Sequence, residues 1–192
     1  MTENKRKTAE TDISIEMDIR KEGKSQIETG ISFFDHMLTL FAKHSGFDLK
    51  VIAKGDIEVD CHHTVEDVGI VLGKVFKEEL GDKAGIKRYA SLFLPMDEAL
   101  VLAAVDISGR PFLACDLPLE NTKIGDFDGE MTEEFLRAFA FNAGITLHVK
   151  YMSGSNKHHI VEAVFKALGR VLREAVTITG TDIPSTKGSL EG

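Results

Sequence analysis

The sequence predicts an α/β fold: an α+β sandwich made by internal duplication of a ββαβα unit. Two sheets of four-stranded type would carry helices on one face each, with the halves in a pseudo-twofold relation. Three observations predict it. The pattern His62-His63-Thr64-Val65-Glu66 returns ninety-six residues later as His158-His159-Ile160-Val161-Glu162. Each copy opens a segment with helical apolar spacing, and each is preceded by strand-like and helical segments in the same order.

Residues 11–19 alternate apolar and polar, which puts Ile13, Ile15, Met17 and Ile19 on one face of a strand. Residues 25–31 read as a shorter second strand. Phe33, Phe34, Met37, Leu38, Leu40 and Phe41 then recur at helical spacing up to Gly46, a C-terminal cap. Residues 47–54 return to strand character, and Gly55-Asp56 turns the chain. From His62, the positions Val65, Val68, Leu72, Val75 and Phe76 trace an amphipathic helix ending near Gly81.

The second half repeats the order. Residues 99–107 and 111–117 are strands flanking the turn Ser108-Gly109-Arg110. A helix over 132–143 ends at Gly144, which stands where Gly46 stood, and a strand covers 145–151. Ser155 or Asn156 caps the last helix, whose Val161, Val164, Leu168, Val171 and Leu172 match the first half. Gly73 and Gly169 also correspond. These segments predict one domain over 1–192, made of two repeats (about 10–92 and 93–180) and a C-terminal loop or mobile arm over 181–192.

Composition narrows the function. Of 192 residues 43% are apolar, enough for a sizeable core. Lys and Arg total 23 against 31 acidic residues, a net charge of -8, which argues against nucleic acid or an anionic membrane as partner. Cys61 and Cys115 have neither disulfide nor zinc-knuckle spacing. The first residues lack an apolar signal core, and no run of about 18 apolar residues is present. A soluble, cytoplasmic protein is the expectation.

The duplicated motif reads as a metal centre. On a helix the first His and the Glu share a face, while the second His is rotated by about 100°. Each motif should therefore give a His and a Glu to one ion and its other His to a second, so that two motifs facing each other bridge a pair. Paired capping or core histidines would explain one copy but not two. The repeat is imperfect at two places: Lys50 occupies the slot of His148, and His36 has no histidine counterpart. His148 is read as an inward residue on its strand, which needs a partner. His36, His62, His63, His148, His158 and His159, with Glu66 and Glu162, then divide into two sets of three histidines and one glutamate. Nitrogen and oxygen donors suit a six-coordinate Mn, Fe or Co ion, and also Zn. Cys61 is read as a structural cysteine. Arg88, Arg110, Ser185 and Lys187 are the cations and hydroxyl available to a phosphate monoester, though each alone reads as a solvated surface group.

The runs Phe33-Phe34-Asp35-His36-Met37-Leu38, Asp60-Cys61-His62-His63-Thr64-Val65-Glu66-Asp67, Asp106-Ile107-Ser108-Gly109-Arg110-Pro111, His158-His159-Ile160-Val161-Glu162-Ala163 and Pro184-Ser185-Thr186-Lys187-Gly188 closely resemble the imidazoleglycerol-phosphate dehydratase family of histidine biosynthesis, in order along essentially the whole chain. The resemblance implies a hydro-lyase with two Mn ions per active site. It also implies a homo-oligomer of 24 subunits with active sites at subunit interfaces. It assigns the eight residues above as metal ligands, Glu10 as the catalytic glutamate, and His44, Arg88, Arg110, Ser185 and Lys187 as substrate contacts.

The chemistry explains a need for two metals. Dehydrating imidazoleglycerol phosphate removes a carbon-bound proton that no carbonyl acidifies, so the ring must supply the activation. Two cations on the ring nitrogens would stabilise an imidazolate that expels the hydroxyl through a diazafulvene-like intermediate. The enol so formed becomes imidazole acetol phosphate. Two other classes compete: a dinuclear metallohydrolase of phosphate esters, and a non-catalytic, metal-clamped assembly protein.

Overall fold

In a computed structural model describing residues 1–21 and 23–190, the chain forms two four-stranded sheets, each lined by two helices. The first half comprises β1 (Thr2–Lys7), β2 (Thr11–Asp18), β3 (Ser25–Glu28), α1 (Ser32–Ser45), β4 (Asp48–Gly55) and α2 (His62–Leu80). The second comprises β5 (Tyr89–Met96), β6 (Ala99–Asp106), β7 (Phe112–Asp116), a small hairpin β8 (Lys123–Ile124) and β9 (Phe127–Asp128), α3 (Met131–Ala143), β10 (Thr146–Ser153) and α4 (Lys157–Ala175). Strand orders β1-β2-β4-β3 and β5-β6-β10-β7 are the same topology twice. In each sheet the last neighbour pair is parallel and the others antiparallel.

The helices form the middle of the sandwich. Helix α2 lies on β1, β2 and β4, and α4 on β5 and β6, while α2 packs against α3 and α1 against α4. Leucine, valine and phenylalanine stripes meet there: Phe34 and Phe135 are edge to face at 5.4 Å, and Phe135 stacks on Phe165 at 5.1 Å. The corresponding glycines make these crossings close. A Cβ on Gly73 would lie 2.6 Å from the Phe139 carbonyl oxygen, and one on Gly169 would lie 2.8 Å from that of Phe41. Gly46 and Gly144 cap α1 and α3 in the left-handed region, their N–H groups bonded to Ala42 and Ala140. The Asn156 side chain caps α4 by accepting from the His158 and His159 N–H groups.

Four strands escaped the sequence reading, β1, β5 and the small hairpin β8–β9; with β1 and β5 included, the repeated unit is βββαβα rather than ββαβα. Strand β1 (Thr-Glu-Asn-Lys-Arg-Lys) has no apolar face; its half-buried side carries Asn4 and Arg6, and Arg6 Nε donates to Asp67 on α2 at 2.7 Å. Strand β5 contains Pro95, which an edge strand tolerates. Because β5 is continuous, the halves join in the 81–88 connection rather than between 92 and 93. Among its described residues the C-terminal segment carries no helix or strand, yet it is tied down. Gly85 N–H donates to Asp182, Arg88 Nη1 to the Pro184 carbonyl at 2.8 Å, and Lys83 Nζ to that of buried Leu190 at 2.9 Å. The last two residues of the predicted arm lie outside the described residues.

Candidate metal centre

Both His-His-x-x-Glu motifs open a long helix, at the start of α2 and of α4. Within each motif the first His and the Glu meet across one turn: His62 Nε2 is 3.7 Å from Glu66 Oε2, and His158 Nε2 is 3.3 Å from Glu162 Oε2. The second His of each points elsewhere, its ring 73° or 87° from its neighbour's plane.

Helix α1 supplies a third group to the α4 motif. His36 Nε2 lies 3.8 Å from Glu162 Oε2, and ligand atoms of His36, His158 and Glu162 lie within 4.8 Å of one another. Two imidazole nitrogens and a carboxylate oxygen at this spacing fit a divalent first-row ion with open positions. Glu162 is buried, and its other oxygen accepts from Lys166 Nζ one turn along α4. Burial alone would raise its pKa, but the Lys166 ammonium, with His36 and His158 nearby, lowers it and keeps it anionic.

The second histidines face carboxylates. His159 Nδ1–H donates to Glu98 Oε2 at 2.8 Å, and His63 Nδ1–H to Asp56 Oδ2 at 3.1 Å, since a carboxylate only accepts. These bonds are the main reason that both histidine pKa values are raised. Glu98 is held down to about 2 by His159 and by the Asn156 and Ser155 N–H groups. Glu10, on the β1–β2 connection, puts Oε2 3.8 Å from His63 Nδ1 and lines an open cleft with Lys54 and Asp56.

His148 departs from the sequence reading. Leu147 and Val149 are buried against the helices, so His148 projects from the opposite, exposed face of its sheet between Ala104 and Ala114, with the Phe112 ring 6.1 Å away. Among the described residues, the group of three metal-capable side chains that forms within one chain draws on the α4 motif and His36 and includes no residue of the α2 motif.

The cations gather at the far end of α4. Arg88 is buried and donates through Nε and Nη2 to Asp106 at 2.8 and 3.3 Å, while exposed Arg110 stands 3.9 Å from the same carboxylate. Ser185 follows Pro184, whose carbonyl Arg88 holds, and Ser185 Oγ accepts the Lys187 N–H at 3.2 Å. His44 sits two turns from His36 on α1, half-buried; burial first, then Lys166 and Arg170, lower its pKa, so it is neutral at pH 7. Asp56, Glu98, Asp106 and Lys166 were not singled out from sequence. One signal was available for Glu98: it immediately precedes β6 as Glu10 immediately precedes β2.

Residues 29–172 match a family profile described as "Imidazoleglycerol-phosphate dehydratase". Among curated relatives, the chain is similar to the imidazoleglycerol-phosphate dehydratase of Thermoanaerobacter pseudethanolicus (64% identical, covering 98% of both chains) and to that of Clostridium botulinum strain Langeland (60%, covering 96% of this chain and 95% of the relative). Among solved structures it is similar to that of imidazoleglycerol-phosphate dehydratase from Staphylococcus aureus, at 44% identity and a TM-score of 0.82 over 92% of this chain and 98% of the other. The Pyrococcus furiosus structure gives 40% and 0.85 over 97% of this chain and 100% of the other.

Proposed function

This chain belongs to the imidazoleglycerol-phosphate dehydratase family and is a hydro-lyase; we propose that it dehydrates D-erythro-imidazoleglycerol phosphate to imidazole acetol phosphate in L-histidine biosynthesis, at a centre that takes two Mn(2+) ions and is completed by a neighbouring copy. Neither a phosphate-ester hydrolase nor a non-catalytic assembly protein agrees with that membership.

The observation that carries the reading is the convergence of His36, His158 and Glu162, from two helices far apart in sequence, at ligand spacing. When bound, two such ions supply the positive charge that stabilises a deprotonated imidazole ring. The remaining work belongs to the side chains. Lys166 occupies one oxygen of Glu162 and leaves the other facing His36 and His158. Glu10 is exposed beside His63 and moves the proton to or from the glycerol arm, a role worth about 10²- to 10⁴-fold in rate. Arg110, Ser185 and Lys187, with the N–H groups of Arg88 that Asp106 and Pro184 leave over, clamp the phosphate and fix orientation. Neutral His44 offers the substrate a hydrogen bond without adding charge.

Distance supports the reading that sites are shared. The Arg88 N–H bonds to Ala175 at the end of α4, whereas His158 stands at its start. Seventeen residues of helix span about 25 Å, farther than one imidazole ring, a glycerol arm and a phosphate can reach. His148 lies near the residues proposed to hold the phosphate, two residues from Thr146, which pairs with Asp106, or about 7 Å along the sheet. One copy would offer His148 and the cations to another copy's helix ends. The outer face of that sheet suits such packing: Tyr89, Phe93 and Phe112 are all more than half exposed there, while the other sheet's outer face carries Glu3, Lys5, Lys7, Asp12 and Glu16.

Product analysis tests the proposal. Enzyme supplied with Mn(2+) and imidazoleglycerol phosphate should yield imidazole acetol phosphate with no inorganic phosphate; phosphate release without the keto product would overturn it.

A further inference from the structure

The second histidine of each motif is held in the same way by a carboxylate from outside the motif. His159 Nδ1 bonds Glu98 on the β5–β6 hairpin at 2.8 Å, and His63 Nδ1 bonds Asp56 after β4 at 3.1 Å. A histidine that donates from Nδ1 carries its lone pair on Nε2, and a carboxylate behind a ligating imidazole fixes its tautomer and ring plane. The two carboxylates come from different places in the repeat. Glu98 precedes β6 and Glu10 precedes β2, so Glu98 corresponds to Glu10, while Asp56 follows β4 where Gly154 follows β10. In the first half, Glu10 stands off from His63 at 3.8 Å, and Asp56 takes the histidine. In the second half Glu98 takes it, and also accepts the Ser155 and Asn156 N–H groups at 3.2 and 2.8 Å, locking hairpin to helix start.

We propose that Glu98 and Asp56 are positioning residues of the metal centre, each holding its histidine, His159 or His63, as an Nε2 ligand. The duplicated carboxylate has thereby divided its work: Glu98 orients a ligand, and its counterpart Glu10, relieved of that task by Asp56, is left to transfer protons. This rests on the two-metal reading above.

The test is Mn(2+) titration of metal-free protein followed by electron paramagnetic resonance of unbound Mn(2+), with circular dichroism of the metal-free proteins alongside. Glu98→Ala and Asp56→Ala should each weaken one of the two ions about 10- to 100-fold while the metal-free proteins stay folded. Glu98→Gln should fall between, since its amide oxygen still accepts from Nδ1–H. Wild-type affinity in both alanine variants would overturn the proposal. So would normal binding by Asp56→Ala together with a Glu98→Ala loss that tracks loss of helix. Wild-type protein that binds no Mn(2+) is a separate result: it would remove the metal reading itself, and this inference with it.

Discussion

Arg88 binds Asp106 with two nitrogens, Nε to Oδ1 at 2.8 Å and Nη2 to Oδ2 at 3.3 Å, and spends a third on the Pro184 carbonyl at 2.8 Å. One planar guanidinium thus joins the end of β6 to the C-terminal segment, a geometry an ammonium cannot reproduce. Arg88→Lys should lose about 2 kcal/mol of stability and raise KM for the phosphate substrate. Hydrogen exchange should quicken over residues 178–190 but not in α1 or α4. Unchanged exchange in that segment would refute the tether.

The metal centre predicts stoichiometry. Wild-type protein should hold two Mn(2+) per chain. His158→Ala should lose metal and turnover together, because it removes a nitrogen donor from the His36–His158–Glu162 group. Elemental analysis of purified protein checks this, and wild-type enzyme fully active after exhaustive chelation would end the model.

Glu10→Gln keeps shape and hydrogen bonding but cannot exchange a proton near neutral pH. Turnover should fall by about 10² or more while both metals and substrate binding persist. Near wild-type turnover would make Glu10 the plain surface charge it resembles in sequence.

Much of the fold was legible because burial imposes periodicity. Residues Ile13, Ile15 and Met17 are all fully buried, as their alternation required, and Gly46 and Gly144 end their helices where an αL residue was needed. Strand β1 was not legible, because an edge strand can turn Asn4 and Arg6 inward and satisfy them with charge rather than apolar contact. The face of His148 was misread although the same alternation held the answer: Leu147 and Val149 point inward, so the residue between them points out. Within the site, the i,i+4 pairing of each first His with its Glu followed from helix geometry alone. Asp56, Glu98 and Lys166 did not, since a lone charge in a turn or on a helix carries no periodic mark of what it touches.

Helix packing gives a stability test. Gly169→Ala would place a Cβ 2.8 Å from the Phe41 carbonyl oxygen, so α1 and α4 must move apart, at about 1–3 kcal/mol. Gly180→Ala meets nothing within 4 Å and should be near neutral. Denaturant midpoints distinguish them, and equal midpoints would deny the close crossing.

His44 gives a pH test. Its folded pKa lies below the ordinary value through burial and the charges of Lys166 and Arg170, so the unfolded chain binds the proton more readily. The histidine therefore costs nothing above its unfolded pKa of about 6.5 and weakens the fold as pH falls from there through its folded value. In metal-free protein, His44→Gln should flatten the decline in unfolding free energy over that window. An identical slope would show that other groups set it.

Sharing of sites between copies can be tested by mixing two inactive variants. His148 leaves the exposed face of one sheet near Asp106, whereas His158 lies at the start of α4, about 25 Å of helix away from the Arg88 end. Homo-oligomers of His148→Ala would lack one contribution at every site, and those of His158→Ala the other. In oligomers co-assembled from equal amounts, a site that draws these two histidines from different copies has a one-half chance of an intact one at each position, so about one quarter of sites should be restored. A site that takes both from the same copy has no intact combination, and mixing would restore nothing. Co-assembled protein should thus regain turnover and Mn(2+) occupancy together, and persistent inactivity in oligomers shown to contain both variants would place the whole centre within a single copy.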